Sequence, residues 1–360
     1  MQVNRQMVFE KIQKMTSAIA EIKPSFEESC PIGIINFETW EWTQGVGLYT
    51  LWQYYKLSGD VSVRQRIEKW FTDRFQEGLP EKNVNTMCPM LTMACLYEET
   101  KEEKYLPYLY EWASFALNEM TRTQEGGIQH KCTGCENKEQ LWDDTLYMTV
   151  MFMAKYGAIF GKKEYLEESE YQFLIHIKYL TDRKTGLWYH GWSFEREDHF
   201  ANALWARGNS WITAGIPDYL EIANPQGAVR KFILEAYRRQ CEALLKLQDD
   251  SGLWHTLLDD KTSYLESSAS ANFAYGFLKG IRLGILSKNY ANSANKAIKA
   301  LLNCIDENGV VDKCSYGTGM GMTLQDYKDI PICPMPYGQT LTVLALMEFI
   351  KTDNCDYLRE

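Results

Sequence analysis

Apolar residues along this chain follow helical spacing, but two kinds of segment differ in how much of the helix surface is apolar. The segment TLYMTVMFMAKYGAIF at 145–160 is apolar almost without a break, which is typical of a helix buried on all sides. The segment YLEESEYQFLIHIKYL at 165–180 has apolar residues at every third or fourth position, which indicates a helix with one face in solvent. We therefore predict an all-α protein with buried inner helices and amphipathic outer helices.

A glycine-containing turn recurs about every 60 residues along the chain. It reads RTQEGGIQHK at 122–131, DRKTGLWYHG at 182–191 and QDDSGLWHTL at 248–257. Because glycine adopts a positive φ without steric cost, we predict that each of these glycines ends an outer helix. The recurring glycines are Gly78, Gly127, Gly186, Gly252 and Gly309.

Short polar turns lie between the glycine turns, so each repeat is a helical hairpin, and the period predicts about six hairpins in the chain. The hairpins can close into a ring, which is an (α/α)6 barrel, or stack into an open α-solenoid. The last segment, TLTVLALMEFI at 340–350, is as apolar as the inner helices and lacks the polar face of a terminal solenoid repeat. This favours the closed ring, and with no Pro/Gly/Ser-rich linker we expect a single domain over residues 1–360.

Charge and composition narrow the classes of partner. The chain has 38 Lys and Arg against 48 Asp and Glu, a net charge of −10, so we expect neither nucleic acid nor an anionic membrane as a partner. Aromatic residues make up 13%, with 11 Trp and 22 Tyr, and such rings serve either as core or as a sugar-binding surface. The N-terminus has no apolar secretion signal, so we expect a cytoplasmic protein whose 10 cysteines are reduced thiols.

Three of the five histidines follow a glycine turn at similar offsets: His130, His190 and His255. Trp188 and Trp254 belong to the same loops. In a barrel of helical hairpins, loops of one class lie at one end. The pattern therefore predicts a shared site at the glycine-turn end, with chance placement as the alternative.

The stretch QLWDDTLYMTV at 140–150 opens a buried helix with two adjacent carboxylates, Asp143 and Asp144. Neighbouring residues on a helix point about 100° apart, so one aspartate can cap the helix while the other faces the barrel axis near Trp142. An aspartate in an apolar setting has a raised pKa and can serve as a general acid. The alternative is that both carboxylates only cap the helix.

The segment WARGNSW at 205–211 combines a cation with indole rings. Arg207 can hold a carboxylate through two hydrogen bonds while Trp211 stacks on a sugar; the alternative is that Arg207 pairs with an acidic neighbour. Trp42, before another inner helix, is a further stacking candidate.

A single CxxC, Cys132 to Cys135, lacks the second pair of ligands that a structural zinc site usually shows. Phosphate-binding glycine loops, HExxH and GxSxG do not occur. We therefore expect no metal and no cofactor, and no nucleotide, zinc-protease or serine-nucleophile chemistry.

Several of these motifs, in this order, resemble the unsaturated rhamnogalacturonyl hydrolases of glycoside hydrolase family 105 and the related unsaturated glucuronyl hydrolases of family 88. The shared motifs are the WxDTLYM stretch with Trp142 and Asp144, the GLWYHGW loop, WARGNSW, SGLWHTLLD and YLESSAS, and together they span the chain from about Trp40 to the last helix. The resemblance implies an (α/α)6 barrel. It also implies action on short oligosaccharides, left by polysaccharide lyases, that carry a 4,5-unsaturated uronic acid at the nonreducing end.

The resemblance further implies hydration of the vinyl ether. Asp144 donates a proton to C4, water adds at C5, and the hemiketal rearranges to release the next sugar. Asp144 then also activates the water, while Asp143 is a bystander. The favoured substrate is unsaturated galacturonyl-rhamnose. The substrate-binding residues implied are Trp42, Asn85, His130, Trp142, His190, Arg207 and Trp211.

Asn85, in KNVNTMCPML at 82–91, stands where many family members have a second aspartate. An amide hydrogen-bonds a sugar but cannot act as a base, so a non-catalytic sugar-binding barrel is one alternative. An unsaturated glucuronyl hydrolase acting on another polysaccharide is a second alternative. A third is an epimerase that uses His190 and His255 as acid and base.

Overall fold

The computed structural model of this protein describes residues 5–23 and 32–352; Cys30 and Cys355 lie outside these ranges. Six helices in the described ranges are buried nearly all round and alternate along the chain with six amphipathic ones. The inner helices are α2 (Trp42–Ser58), α4 (Cys88–Thr100), α6 (Met151–Phe160), α8 (Ala206–Ile222), α10 (Ser267–Arg282) and α13 (Pro336–Lys351). The outer helices are α1 (Arg5–Ala18), α3 (Val61–Glu77), α5 (Leu106–Asn118), α7 (Lys163–Leu180), α9 (Gly227–Leu247) and α11 (Ala291–Leu302).

The inner helices form a closed ring. Each contacts the next in the order α2, α4, α6, α8, α10 and α13, and α13 returns to contact α2. The first outer helix, α1, packs against α13 and completes the sixth pair from the two ends of the chain. The predicted (α/α)6 barrel is confirmed, and the open solenoid is excluded by the contact between α13 and α2.

Burial follows the sequence pattern that predicted the two layers. The outer helix α9 buries Ile233, Tyr237, Cys241 and Leu244, which are spaced by three or four residues and so share one face. The inner helix α8 is buried at every position from 206 to 220. Inner helices need this continuous apolarity because they contact other helices on all sides.

The recurring glycines differ in part from the prediction. Gly78 ends α3 with φ of +93°, whereas the other glycines lie in the turn that follows the outer helix. In the 122–131 motif the residue with positive φ is Gly126, not Gly127. Gly127 is needed for another reason, since a Cβ there would lie 2.5 Å from Cδ2 of Leu141. The remaining left-handed glycines of the repeat are Gly186, Gly252 and Gly309.

Short strands join the loops at the glycine-turn end. β1 (Gln140–Trp142) pairs antiparallel with β2 (Gly191–Ser193), and β3 (Trp254–His255) pairs antiparallel with β4 (Leu265–Glu266). The segment Leu146–Val150 between β1 and α6 is a π-helix rather than the regular α-helix that the sequence predicted. Such wide turns are frequent at functional sites.

A further short helix, α12 (Leu324–Lys328), lies in the connection between α11 and α13. Single 3₁₀ turns occur at Ile19–Glu21, Glu103–Tyr105 and Lys288–Tyr290. Across the two described ranges, no helix combines the length and the apolarity that a bilayer crossing requires.

Candidate active site

Backbone hydrogen bonds at the glycine-turn end tie three loops into one wall. Trp142 of β1 faces Gly191 of β2. The backbone N–H of His130 donates to the carbonyl of Gln140 at 2.9 Å, and the backbone N–H of Asp143 donates to the carbonyl of His190 at 3.0 Å. The side chains of two repeat loops and of the WDDTLYM stretch are thereby held side by side.

Ring contacts continue from this wall around the inner helices. His130 stacks on Trp142 with centroids 4.1 Å apart, Trp142 meets His190 at 5.3 Å, and His190 meets Trp205 at 4.4 Å. The guanidinium of Arg207 lies 4.5 Å from the Trp205 centroid. We call the whole run of contacts the aromatic series; its members are His130, Trp142, His190, Trp205, Arg207, Tyr337, Trp42, Trp211 and Tyr147.

The second half of the aromatic series brings in the two stacking candidates. Tyr337 lies 4.7 Å from Trp42, Trp42 meets Trp211 edge-on at 5.9 Å, and Trp211 lies 5.0 Å from Tyr147. Both tryptophans are almost fully buried, so an exposed sugar-stacking face is not present at either ring. Their contact belongs to the hydrophobic core of the barrel.

Asn85 lies beside this wall. Its N–H donates to Oδ1 of Asn83 at 2.9 Å. The residue before it, Val84, donates its N–H to the carbonyl of Lys131 and accepts the hydroxyl of Thr149. The structure therefore links Trp42, His130, Trp142, His190, Arg207 and Trp211 through the aromatic series, and Asn85 is connected to it through its neighbour Val84.

Asp144 is the carboxylate that retains access to solvent, with 18% of its side chain exposed. Its Oδ1 lies 3.4 Å from Nδ1 of His130. Burial raises the pKa of Asp144 to about 7, even though the nearby backbone N–H groups and the charge of Arg207 oppose the rise. Asp144 is thus partly protonated at neutral pH, which is the state that a general acid requires.

His130 is uncharged at neutral pH because burial lowers its pKa to about 3. Its Nδ1 lies 2.8 Å from Oγ1 of Thr145. The contact between His130 and Asp144 is therefore not an ion pair, and the proton on Asp144 is not lost to the imidazole.

Asp143 is completely buried, and neither of its side-chain oxygens has a hydrogen-bond partner within the described residues. Burial, together with the charge of Asp144, raises its pKa well above the usual range. It fits against α8 because residue 208 is glycine, where a Cβ would lie 2.3 Å from Oδ2 of Asp143. Asp143 does not cap a helix, so the alternative in which both carboxylates are helix caps is wrong.

Polar atoms of this pair and of the rings beside it are buried without a hydrogen-bond partner among the described residues. Most buried polar groups in folded proteins are satisfied, so a cluster of unsatisfied ones indicates a place for a polar ligand or water. These atoms are Oδ1 and Oδ2 of Asp143, Oδ1 of Asp144, Nε2 of His190 and Nε1 of Trp205.

Arg207 is 1% exposed, and its guanidinium is hydrogen-bonded to neutral groups. It donates to the carbonyl and hydroxyl of Ser315, to the carbonyl of Tyr316 at 2.9 Å and to Oη of Tyr337 at 2.9 Å. No described acidic side chain forms an ion pair with it, so the acidic-neighbour alternative does not describe this site. Its positive charge reaches Asp144 through space and lowers the pKa of that carboxyl.

Three residues of the repeat loops do not belong to this cluster. Nδ1 of His255 lies 2.5 Å from the carbonyl of Ser263 in its own loop. Trp188 is fully buried, and Trp254 packs in the core against Phe273. The predicted sharing of one site by three loop histidines therefore holds for two of them.

The sequence interpretation missed Tyr327 and Glu41. Tyr327, on α12, lies 2.7 Å from Nδ1 of His190, and no motif marked it. Glu41 caps α2, accepting the N–H of Trp42 at 2.7 Å and the hydroxyl of Thr133 at 3.2 Å. Burial raises the pKa of Glu41 to about 7, although both hydrogen bonds oppose the rise. An acid between two tryptophans directly before an inner helix was a usable signal for this cap.

The CxxC forms a tight hairpin in which Cys132 and Cys135 exchange both backbone hydrogen bonds at 3.0 Å. Cys132 is buried and Cys135 is exposed, and both are free thiols. Within residues 5–23 and 32–352, no group of three or more His, Cys, Asp or Glu side chains is arranged to hold a metal ion.

Comparisons with known proteins agree with this architecture. Residues 12–353 match the family described as Glycosyl Hydrolase Family 88. The chain is 31% identical over 351 residues to the unsaturated rhamnogalacturonyl hydrolase YesR of Bacillus subtilis (strain 168), covering 96% of this chain and 98% of that protein.

Solved structures give the same result. A possible member of the GH105 family from Salmonella enterica serovar Paratyphi A has a TM-score of 0.94 at 47% identity, covering 97% of this chain and 95% of that one. The unsaturated glucuronyl hydrolase of Bacillus sp. GL1 shares the fold, with a TM-score of 0.74 at 19% identity over 95% of this chain and 96% of that one. The resemblance expected from the motifs is confirmed, and the chain is a glycoside hydrolase that belongs to Glycosyl Hydrolase Family 88.

Proposed function

We propose that this enzyme releases a 4,5-unsaturated uronic acid from the nonreducing end of short oligosaccharides by hydrating its vinyl ether, with Asp144 as the general acid and base. The observation that carries the proposal is Asp144 itself. It is a largely buried carboxyl with a pKa raised to about 7, and it lies among unsatisfied polar atoms and aromatic rings. A carboxyl group that is half protonated at neutral pH is suited both to give and to take a proton.

In the proposed reaction the carboxyl of Asp144 gives its proton to C4, and the double-bond electrons form the new C4–H bond. The positive charge left at C5 is shared with the ring oxygen. Water then forms a bond to C5 and returns its proton to Asp144, which restores the acid. The C5 hemiketal opens by breaking its bond to the ring oxygen, and the hemiacetal left at C1 expels the next sugar as an alcohol.

The surroundings of Asp144 support the order of these steps. His130, 3.4 Å away, is neutral and so does not withdraw the proton that C4 must receive. Arg207 lies further off, bonded to Ser315, Tyr316 and Tyr337. Its buried charge contributes a positive potential for a uronate carboxylate without forming an ion pair with the acid.

A single catalytic carboxyl is sufficient for this route. Burial raises the pKa of Asp143 well above its usual value, and its carboxyl packs against Gly208, so burial opposes its action as a second ionised carboxylate. The distance between two carboxyls, which separates retaining from inverting glycosidases, does not apply to hydration of a vinyl ether. Asn85 therefore needs only to hydrogen-bond the sugar or the water.

For the substrate we propose unsaturated galacturonyl-rhamnose. The name of the Bacillus subtilis relative, which matches nearly the whole chain, supports this choice. The main alternative is the unsaturated glucuronyl product of another polysaccharide, and the same site would take it because both uronates present the same vinyl ether.

The experiment is incubation with lyase digests of rhamnogalacturonan, glycosaminoglycans and ulvan. Ultraviolet absorbance of the unsaturated uronate and the masses of the products are followed together. We expect the absorbance to disappear, the two released sugars to sum to the substrate plus one water, and the rhamnogalacturonan product to react fastest. Asp144→Asn should lower kcat by about a thousandfold or more, since the amide cannot donate a proton to carbon.

Other outcomes contradict parts of this account. Full activity of Asp144→Asn would remove its catalytic role. Binding of the digest products without turnover would favour the sugar-binding barrel, and turnover at unchanged substrate mass would favour an epimerase.

A further inference from the structure

Tyr327 reaches the candidate site from a segment distant in sequence, between α11 and α13. Its ring is 1% exposed, and its Oη lies 2.7 Å from Nδ1 of His190. The segment is firmly attached. Thr323 and Asp326 form a capping box at the start of α12, and Nζ of Lys328 lies 2.5 Å from Oδ2 of Asp260. Tyr327 is therefore held in place by contacts independent of His190.

The neighbours of Oη decide which way its proton points. The N–H of Gly321 donates to Oη at 3.3 Å, so one lone pair of the oxygen is used. The two acceptors within reach of the hydroxyl proton are Nδ1 of His190 and Sδ of Met320, which lies 3.5 Å away. A thioether is a weak acceptor and an imidazole nitrogen is a strong one, so the hydroxyl donates to Nδ1.

The other ring nitrogen of His190 then carries the proton. Burial lowers the pKa of His190 well below its usual value, so the ring is neutral and holds a single N–H. With Nδ1 acting as an acceptor, that N–H is on Nε2. Nε2 is buried and has no partner among the described residues, and its ring lies between Trp142 and Trp205.

We propose that Tyr327 is a positioning residue that holds His190 as the Nε2-protonated tautomer, so that Nε2–H is an uncharged donor to a substrate oxygen. The role of that donor rests on the proposed hydration of an unsaturated uronate, whereas the tautomer itself does not.

An uncharged donor has a specific advantage beside a catalytic acid. The N–H of Asp143 is bonded to the carbonyl of His190, so this histidine and the carboxyl pair are close neighbours. An imidazolium there would favour the ionised form of Asp144 and lower its pKa. Asp144 would then lose the proton that C4 must receive. A neutral Nε2–H binds a sugar oxygen without this cost.

The direct test is the tautomer of His190 at pH 7, measured on ¹⁵N-histidine-labelled protein by long-range ¹H–¹⁵N correlation. The signals of His190 are assigned as those missing from His190→Gln. We expect a neutral ring protonated at Nε2, and in Tyr327→Phe a shifted Nδ1 signal, because Nδ1 loses its donor. A ring protonated at Nδ1, an imidazolium, or an Nδ1 signal unmoved in Tyr327→Phe would overturn the proposal.

Kinetics then separate positioning from a purely structural role. Tyr327→Phe should lower kcat/KM by about tenfold, the value of one lost hydrogen bond. The matched control is Tyr219→Phe, which loses a buried hydroxyl contact of 3.0 Å to Ser169 away from the site. It should match Tyr327→Phe in thermal stability but leave kcat/KM unchanged. Equal kcat/KM in the two variants would contradict the proposal.

A pair of substitutions at His190 tests which nitrogen matters. The amide nitrogen of Gln reaches about as far as Nε2, and that of Asn about as far as Nδ1. We expect His190→Gln to keep more activity than His190→Asn; the reverse order would contradict an Nε2–H donor. If no unsaturated oligosaccharide is turned over by the wild type, the proposed function fails while the tautomer measurement still decides the arrangement.

Discussion

A buried aspartate lies at each end of helix α8, and the two aspartates differ in the partners of their carboxyl groups. At the start of the helix, Gly208 lies against Asp143, whose oxygens have no partner among the described residues. About 15 Å further along the helix, Asp218 is buried but bonded to Lys279, and it accepts the hydroxyl of Tyr275 at 2.6 Å.

The network at the second end extends over three inner helices. Lys279 also pairs with Glu221 at 2.6 Å, and Arg282 joins Glu221 to the buried Glu348. Burial is the largest single influence and lowers the pKa of Lys279, but the combined attraction of Asp218, Tyr49 and Glu221 outweighs it and raises the pKa above its usual value. Charge is therefore kept and balanced at this end, which joins α8, α10 and α13.

The difference shows how one fold gives the same residue two functions. Beside Lys279, the buried Asp218 belongs to a structural network of charges. Burial without a paired cation keeps a carboxyl protonated, which is costly for stability and useful for proton transfer. Near the candidate active site, neither oxygen of Asp143 has a partner among the described residues, whereas Asp218 has one of its two oxygens bonded.

The largest stability effect is expected at the balanced end. Lys279→Met keeps the side-chain length but leaves Asp218 buried without its cation, which should cost about 3–5 kcal/mol. Urea unfolding measures this loss, and kcat of the folded protein should stay at the wild-type value. Adding Asp218→Asn should recover much of the stability. If Lys279→Met also lowered kcat strongly, the charged network at this end and the candidate active site at the other would not be independent.

At the active-site end of α8, we expect a smaller effect on stability than for Lys279→Met and a larger effect on activity. Gly208→Ala places a methyl group 2.3 Å from Oδ2 of Asp143, and such overpacking costs about 1–3 kcal/mol. It also displaces the residue next to Asp144, so kcat should fall by about ten- to a hundredfold. The double variant with Asp143→Ala removes the clashing carboxyl and should be less impaired than Gly208→Ala alone. Additive losses would show that the clash is not the cause.

The smallest effect is expected for Asp143→Asn. Because burial raises the pKa of Asp143 and disfavours its ionised form, a neutral amide of the same shape replaces it closely, and kcat/KM should stay within about threefold of wild type. The measurement is steady-state kinetics alongside Asp144→Asn. A loss as large as that of Asp144→Asn would show that Asp143 also transfers a proton.

The barrel was predictable because its signals are local and repeated. Continuous apolarity distinguishes inner helices such as α8 from outer ones such as α9, and the glycine turns supply the period. The π-helix at Leu146–Val150 and the shift of the left-handed turn residue from Gly127 to Gly126 were not predictable in this way. The turn at Gly126 accompanies the close approach of Leu141 to Gly127, a tertiary contact that no local pattern shows.

The residues of the candidate site also fall into those that a local pattern predicts and those that depend on tertiary packing. His130, Trp142 and Asp144 lie close together in the sequence, and His190 repeats the position of His130 in the next glycine turn, so pattern alone brought them together. Tyr327 is 137 positions from His190. Its role depends on how α12 docks onto the barrel, which no local pattern records. The same holds for the contacts of Arg207 with Ser315, Tyr316 and Tyr337.

The pH dependence of kcat/KM on an unsaturated disaccharide tests most directly the claim that burial without a paired cation makes Asp144 a general acid. The folded pKa of Asp144 is raised to about 7, so the acid is present below that pH and lost above it. We predict full activity on the acid side and a fall through about pH 7, approaching tenfold per pH unit. Activity that rises through neutral pH, or that stays flat from about pH 5 to 8, would contradict the account.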